Sequence, residues 1–449
     1  MKNDPDRQAL IESVMERFKK KLEQEMPDDN ATLDQIEDAV DRIGKEILGD
    51  LQEKLTNQRA KKPRNNQIDC ACGGRARYRN MDTKVLVTRH GLLRWVRPYY
   101  YCASCHSGLA PLDASLGLDR GETTTKIREW AAFLAPNLGF ELSADTLLRL
   151  RDVDLSAATI ERIAVGAGTK LWAAHQEEAL LHHQDRLPDR RTPCPRRLYI
   201  GADGVMTPLR DAWKKDGSLG ELGCRYGECK TGVVYETFRD KNGRDSRVKT
   251  RAYTATLEGV ETFELRLGAL AHCCGHHAAK EVIVLGDGAP WIWLMFGRQF
   301  PGAIQILDFY HACEHLGKVG DAMYGKDTDL SRQWQKARQA QLKADQVDAV
   351  VQTIADWQPE SEAHQEIRRI EMGYFTDNAE RMRYGTYLAK GYHIGSGIVE
   401  ATCKHVVAAR LDQAGMHWRA ATAEAIVTLR AAQLSTYPPD VRPHLRMVA

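Results

Sequence analysis

The segment "VIVLGDGAPWIW", residues 282–293, places a carboxylate directly after a strand that is apolar throughout. Its first four residues predict a buried strand, Gly286 ends that strand, and Asp287 follows. A charged side chain at the end of a buried strand is costly unless another group neutralises its charge. The fold must therefore bring such a group to Asp287.

The segments around Asp287 predict a sheet with helices between its later strands. Residues 197–209 predict a first strand, and two segments of alternating polarity predict antiparallel strands after it. A helix precedes the strand that ends at Asp287, and another helix precedes a last strand that ends at Asp308. The predicted order is therefore three strands, a helix, a strand, a helix and a strand. This is the order of a ribonuclease-H-like αβ core, in which the first and fourth strands are neighbours. Asp203, on the first strand, is therefore predicted to lie beside Asp287 with divalent metal between them.

A third acid is expected at this metal site. Two Mg²⁺ or Mn²⁺ ions, about 3.5–4 Å apart, can activate a nucleophile and stabilise a leaving oxyanion when a phosphodiester is cut, and hard cations bind carboxylate oxygens. Glu400 is the predicted third ligand, because it lies in the first turn of a helix after the glycine-rich turn 395–397. Lys404 follows one turn later on the same face and is a candidate phosphate contact.

The catalytic residues and metal ligands are therefore predicted to be Asp203, Asp287 and Glu400. We expect the core to comprise residues 196–310 and 391–435, interrupted by an all-helical insertion over residues 311–390.

Four cysteines form two close pairs that are typical of a zinc ribbon. Cys70 and Cys72 precede, and Cys102 and Cys105 follow, a strand-like segment, so two hairpin knuckles can hold one tetrahedral Zn²⁺. The sequence predicts a structural zinc ion in a ribbon over residues 65–115. The first pair departs from the usual C-x-x-C spacing, and four free buried cysteines are the alternative.

The predicted ribbon is basic and rich in aromatic residues. Lysine and arginine outnumber acids over residues 58–110, whereas acids prevail over residues 1–57. Arginines interleaved with Trp95 and Tyr99 to Tyr101 suit phosphate and base contacts, although a solvated surface has the same composition. The predicted DNA-binding residues are Arg75, Arg77, Arg79, Arg94 and Arg97.

Two helical regions flank the ribbon. Residues 1–57 predict helices with one apolar stripe, which begins at Leu33 and continues to Leu51; it would pair with a second copy of the chain or pack on its own chain. Residues 120–182 predict a helix-turn-helix-like DNA-binding region, with Ser143 and Ser156 as N-caps.

Composition and charge narrow the class of protein. The chain has 449 residues, of which 43% are hydrophobic and 28% charged, and it contains no apolar run long enough to span a membrane. Its charged N-terminus lacks a signal core, and its 11 cysteines are clustered. These features predict a cytoplasmic protein of several domains, with a boundary in the Pro- and Arg-rich segment 185–197.

Four motifs, in order along the chain, resemble those of Asp-Asp-Glu transposases of bacterial insertion sequences. They are "YIGADGV", "VLGDGAPWIW", "DFYHACEHL" and "GSGIVEATCKHVVAARLDQAGMHW". The resemblance is to the ISKra-type group, which is related to the Mutator and hAT-like transposases, and the cysteine-containing segment is similar to that group's as well. It covers roughly residues 65–435.

This resemblance implies a transposase that binds terminal inverted repeats and catalyses metal-dependent strand cleavage and strand transfer. Asp203, Asp287 and Glu400 would be its catalytic acids, and Asp308 and His311 match an Asp-x-x-His signature that would support the site. Hydrolysis would free a 3′-hydroxyl, which would then attack target DNA. Both ends of the insertion sequence must meet during transposition, so the resemblance implies a homo-oligomer bound to double-stranded DNA. It also implies a cytoplasmic protein at the bacterial nucleoid.

Two other functions fit the same residues. One is a ribonuclease-H-like, metal-dependent nuclease without strand transfer, and the other is a catalytically dead zinc-ribbon DNA-binding protein. The segment "HCCGHH", residues 272–277, is a further open question. It would bind a metal through residues one helical turn apart, or simply provide polar residues at a helix end.

Overall fold

The computed structural model has an α+β architecture. The residues that it describes are 5–60, 65–118, 121–189, 195–210, 226–437, 439 and 441–445. The chain divides into two compact units, one of residues 1–167 with 440–449 and one of residues 168–439. The division falls within a long helix, before the predicted boundary segment 185–197, in which residues 190–194 lie outside the described residues.

Two helices begin the first unit, α1 (Pro5–Glu25) and α2 (Leu33–Asn57). Thr32 starts α2 through a capping box with Gln35. The predicted apolar stripe is only partly buried, because the side of α2 that packs within the unit carries Ala39 and Ile43. The stripe's first three members, Leu33, Ile36 and Val40, are exposed.

A four-stranded antiparallel sheet follows these helices, with its strands in chain order. The strands are β1 (Gln67–Asp69), β2 (Arg75–Thr88), β3 (Gly91–Cys102) and β4 (Gly108–Leu109). Asn57, at the end of α2, holds β3 by donating to the carbonyl of Arg94 and accepting from the amide of Val96. The two long strands form the hairpin that the sequence predicted between the cysteine pairs.

Four helices come after this sheet. They are α3 (Pro111–Ser115), α4 (Thr125–Leu134), α5 (Phe140–Arg151) and α6 (Ala157–His183). Ser156 accepts from the amide of Thr159 at the start of α6, as predicted for an N-cap. The prediction for Ser143 is wrong: α5 begins three residues earlier, and the buried Ser143 hydroxyl donates back to the carbonyl of Gly139.

The second unit is built on a five-stranded mixed sheet. Its strands are β5 (Arg197–Pro208), β6 (Tyr226–Arg239), β7 (Asp245–Thr256), β8 (Glu281–Gly286) and β9 (Ile304–Leu307). Their order across the sheet is β7-β6-β5-β8-β9. The first three strands pair antiparallel, whereas β8 and β9 continue parallel to β5. The first and fourth strands of this sheet are therefore neighbours, as predicted.

Helices cover both faces of this sheet. The helices between the last strands are α7 (Val260–Cys273) and α8 (Pro290–Gln299). Gly232 lies so close to Leu267 and Phe263 of α7 that a Cβ would crowd them. On the opposite face, a Cβ on Gly201 would overlap Val399, so glycine is needed where the C-terminal helices meet β5. Because side chains alternate along a strand, Asp203 faces the same way as position 201.

Five helices separate β9 from those C-terminal helices. They are α9 (Phe309–Tyr324), α10 (Asp329–Lys343), α11 (Val347–Asp356), α12 (Glu362–Asp377) and α13 (Tyr384–Ala389). Their apolar faces join the sheet's core through residues such as Leu316, Ile354 and Phe375.

The chain then returns to the sheet as a helix whose hydrogen-bonding pattern changes along its length. It comprises α14 (Gly397–Thr402), a π-helical turn (Cys403–Ala408) and α15 (Ala409–Leu411), and α16 (Ala420–Leu434) completes the unit. A π-helical turn within a helix is rare and often marks a functional site.

Candidate metal and nucleic-acid sites

Three aspartates lie at one level on neighbouring strands. Gly201 is paired with Leu285 in the parallel register of β5 and β8, so Asp203 stands level with Asp287 two residues later. Gly286 is paired with Leu307 on the next strand, so Asp308 stands level with Asp287 on the other side. The register thus brings Asp203, Asp287 and Asp308 to one edge of the sheet.

Asp203 is half-buried, and each of its carboxylate oxygens accepts a hydrogen bond. Its Oδ1 accepts from the amide of Gly204 at 2.7 Å, and its Oδ2 accepts from the Cys403 thiol at 3.1 Å. Burial raises the pKa of Asp203, and the negative charge of Asp287 raises it further, while Cys403 and His311 act in the opposite direction. A cation would relieve this desolvated pair of carboxylates.

Asp287 is held in a tight turn. Its Oδ1 accepts from the amide of Ala289 at 3.0 Å, and Gly288 has a φ of +109°, which favours glycine. The hydroxyl of Tyr374, from the helical insertion, donates to the backbone carbonyl of Asp287 at 3.2 Å. Local turn geometry and a distant helix together fix the direction of the Asp287 carboxylate.

Asp308 has a structural role that the sequence prediction did not include. It caps α9 by accepting from the amide of Tyr310 at 2.8 Å, and its second oxygen accepts from the hydroxyl of Ser396. It is only 7% exposed. This carboxylate therefore ties the end of β9 to the glycine-rich turn that precedes Glu400.

Glu400 lies at the surface, in an ion pair on its own helix. Its carboxylate forms an ion pair with Lys404 at 2.6 Å, and both side chains are more than half exposed. Among the described residues, Asp203, Asp287 and Glu400 do not form a group whose ligand atoms all lie within 4.8 Å of one another. Lys404 lies on the same helix face as predicted, but here it contacts the acid.

Two histidines and a buried glutamate extend from the aspartates into the insertion. Glu371, 3% exposed, contacts Nδ1 of His315 at 2.5 Å, and Nε2 of His315 lies 3.3 Å from Nε2 of His311. Tyr374 stacks on His315 with ring centroids 3.6 Å apart. His311 in turn lowers the pKa of Asp203 through its charge. A chain of contacts thus links Glu371 to His311, whose charge acts on Asp203.

Sequence reasoning missed three residues of this arrangement, Cys403, Glu371 and Tyr374. Cys403 lies within the motif that carries Glu400, and its spacing from that acid was the available signal. The other two lie on α12, more than eighty residues after Asp287 and about twice as far from Asp203, and no local pattern marks them.

The four predicted cysteines converge at one end of the antiparallel sheet. All four Sγ atoms lie within 4.8 Å of one another, with Cys70 to Cys105 at 3.5 Å and Cys72 to Cys102 at 3.7 Å. Tetrahedral zinc with Zn–S bonds of about 2.3 Å requires sulfurs about 3.8 Å apart. The group could therefore hold a metal ion such as zinc.

The thiols of the two knuckles differ in acidity. An amide hydrogen bond from Gly74 lowers the pKa of Cys72, but contacts with Cys105, Cys70 and Cys102 outweigh it and raise that pKa to about 12. Hydrogen bonding by Ser107 lowers the pKa of Cys105 to about 6. Deprotonated sulfur is the form that binds metal.

The predicted DNA-binding arginines divide into two groups. Arg75, Arg77, Arg79 and Arg94 are exposed. Arg97 differs from them, because the residue is only 8% exposed and its guanidinium pairs with Asp82 at 2.5 Å and Asp113 at 3.2 Å.

The interleaved aromatic residues are likewise not all available to a ligand. Trp95 is fully buried and donates to Asp113, and Tyr100 is buried as well. Tyr101 remains half-buried, with the guanidinium of Arg79 placed 5.2 Å from the centre of its ring.

The chain belongs to the uncharacterised protein family UPF0236, whose sequence profile matches residues 30–438. No curated protein matches the chain. Among the described residues, no helix is both long and apolar enough to cross a membrane.

Proposed function

We propose that this protein is a metal-dependent DNA transposase with a ribonuclease-H-like core. The observation that carries the proposal is the register that sets Asp203 and Asp287 level on adjacent parallel strands. The strand order, with three antiparallel strands and two further parallel ones, is the order that such a core requires. The likeness of the sequence motifs to those of Asp-Asp-Glu transposases supports the same conclusion.

The donor set fits Mg²⁺ or Mn²⁺. Carboxylates are the ligands that these hard cations prefer, and the raised pKa of Asp203 beside Asp287 marks a place where a cation would lower the energy of the folded chain. Asp203 and Asp287 would hold the ions, and Glu400 would join them after leaving Lys404. When bound, the ions supply electrostatic stabilisation of the attacking and leaving oxygens.

The chain's own residues prepare this site. Cys403 and Gly204 orient the Asp203 carboxylate, and Tyr374 and the Ala289 amide orient Asp287. Lys404, released by Glu400, would be free to contact a DNA phosphate. The exposed arginines beside a zinc-bound Cys70, Cys72, Cys102 and Cys105 would contact the terminal inverted repeats.

Cleavage of DNA that carries the inverted repeats flanking the gene tests this proposal. Wild type should cut at the repeat end with Mg²⁺ or Mn²⁺ and transfer the new end to a second duplex. Asp287→Asn should bind the same DNA without cutting, whereas Asp348→Asn, an exposed aspartate on α11, should behave as wild type. Cleavage without transfer would favour the nuclease, and binding without cleavage by wild type would overturn the catalytic proposal in favour of a DNA-binding protein.

A further inference from the structure

A second group of potential metal ligands lies in the larger unit, at the C-terminal end of α7. Nε2 of His272 and Nε2 of His277 each lie 3.1 Å from the same carboxylate oxygen, Oδ1 of Asp189. The ligand atoms of these three residues all lie within 4.8 Å of one another. We propose that Asp189, His272 and His277 form a binding site for a transition-metal ion of the zinc type.

The turn after α7 explains why the two histidines meet. Residues five apart on a continuous helix point in different directions, about 140° apart, because each residue advances the helix by about 100°. Here Gly275 ends the helix with a φ of +83°, and a short 3₁₀ turn, His276–Ala278, follows. This reversal brings the His277 ring to 4.7 Å from that of His272. The pairing differs from the one-turn spacings that the sequence suggested.

The geometry favours a metal over simple hydrogen bonding. Among the residues described, the buried Nε2 of His272 forms no hydrogen bond, although Oδ1 of Asp189 lies 3.1 Å away. Around tetrahedral zinc, with bonds of about 2.0–2.1 Å, ligand atoms stand about 3.3 Å apart. The observed separations from the carboxylate oxygen are close to that value.

The donor chemistry selects the class of ion. Two imidazoles and one carboxylate suit zinc and its neighbours in the first transition series, whereas Mg²⁺ and Ca²⁺ prefer oxygen ligands alone. The Asp189 side chain is 66% exposed and that of His277 is 36% exposed, so an ion and a completing water can reach the group from solvent.

A bound ion would fasten two separate parts of the chain. Asp189 lies between α6 and β5, and Leu187 beside it is buried against Ala179 and Ala269. The histidines lie between α7 and β8. The ion would therefore fix Asp189, which follows α6, to the end of α7, and its role would be structural.

Metal content measures the site directly and does not depend on DNA cleavage. Wild type, Asp189→Ala and His277→Ala would be loaded with Zn²⁺, desalted and assayed for zinc per chain. Each variant should hold one ion fewer than wild type. The control variants His183→Ala and Asp185→Asn, exposed neighbours outside the group, should retain the wild-type content. Zinc bound at any other site is present in wild type and variants alike, so it does not affect the difference in zinc content between them.

Cobalt distinguishes this site from the cysteine group. Co²⁺ bound by thiolates gives a sulfur-to-metal charge-transfer absorption, which His277→Ala should retain while losing the weaker absorption of the nitrogen- and oxygen-ligated ion. Because the His277 side chain is 36% exposed, the variant is expected to fold, and a circular dichroism spectrum equal to that of wild type checks this. Equal metal content in wild type and both variants would overturn the proposal.

Discussion

The thiol of Cys403 donates a hydrogen bond to Oδ2 of Asp203, with sulfur and oxygen 3.1 Å apart. The donor lies on the first residue of the π-helical turn, and the acceptor lies on the central strand of the second sheet. The contact therefore couples the ionisation of a candidate metal ligand to the shape of the helix that carries Glu400.

Replacing Cys403 should change the pH dependence of metal binding. Burial raises the pKa of Asp203 above its ordinary value, and the hydrogen bond from the Cys403 thiol acts in the opposite direction. Cys403→Ala removes that hydrogen bond and should therefore raise the pKa of Asp203 further. A protonated carboxylate cannot hold a cation, so the acid limb of Mn²⁺ binding should move to higher pH. Cys403→Ser retains a donor and should shift the limb less. A shift to lower pH in Cys403→Ala would contradict this assignment.

Glu371 is predicted to act through the two histidines. Glu371→Gln removes the charge that pairs with His315, and loss of such a supporting contact should lower cleavage by about 10-fold while leaving DNA affinity unchanged. Glu366→Gln, an exposed substitution on the same helix, is the matched control and should cleave as wild type does. Equal cleavage rates for both variants would rule out a positioning role for Glu371.

The cysteine group is predicted to bind one zinc ion. Cys102→Ser removes a buried ligand, so the zinc content should fall by about one ion per chain and the thermal stability of the first unit should fall with it. Cys313→Ser lies outside the group and should change neither quantity. Unchanged zinc content in Cys102→Ser would show that this cysteine group does not hold the ion.

The exposed arginines of β2 are predicted to contact phosphates. The triple substitution of Arg75, Arg77 and Arg79 by alanine should weaken DNA binding at low salt. It should also reduce the slope of log affinity against log salt by about 2–3, since each phosphate contact contributes about 0.9. Arg369→Ala, an exposed arginine on α12, should leave the slope unchanged. An unaltered slope in the triple variant would remove these residues from the interface.

Arg97 should behave differently from its neighbours. Arg97→Ala leaves Asp113 without its buried partner, and such a loss should lower the free energy of unfolding by about 3 kcal/mol. Denaturant unfolding measures this change, and the salt dependence of DNA binding by the remaining folded protein should match wild type. A normal stability with a reduced salt slope would restore Arg97 to the predicted interface.

Element order and residue spacing were sufficient to predict the neighbours of the central sheet. The adjacency of β5 and β8, and with it the alignment of Asp203 and Asp287, follows from three antiparallel strands succeeded by helix-strand repeats. The meeting of the cysteine pairs likewise follows from two knuckles at the same end of one hairpin.

Other features depend on contacts that spacing does not reveal. From the sequence, Arg97 and Trp95 were predicted to be available to a ligand. In the structure both side chains are hydrogen-bonded to Asp113 of α3. The contact of Asp189 with both His272 and His277 depends on the turn at Gly275, whose positive φ ends α7. Leu33 is exposed for a similar reason. The apolar stripe of α2 was predicted from spacing alone, which does not show which side of α2 packs against other parts of the chain.

The π-helical turn at Cys403–Ala408 gives the C-terminal helix an unusual sensitivity to length. Its hydrogen bonds span five residues rather than four, so the turn accommodates one residue more than an α-helical turn would. Removal of a single residue there would restore a regular helix and rotate Glu400 by about 100° relative to the segment after Ala408. The direction of this acid relative to the rest of the helix is thus set by a count of residues, and a one-codon deletion would change it without substituting any candidate metal ligand.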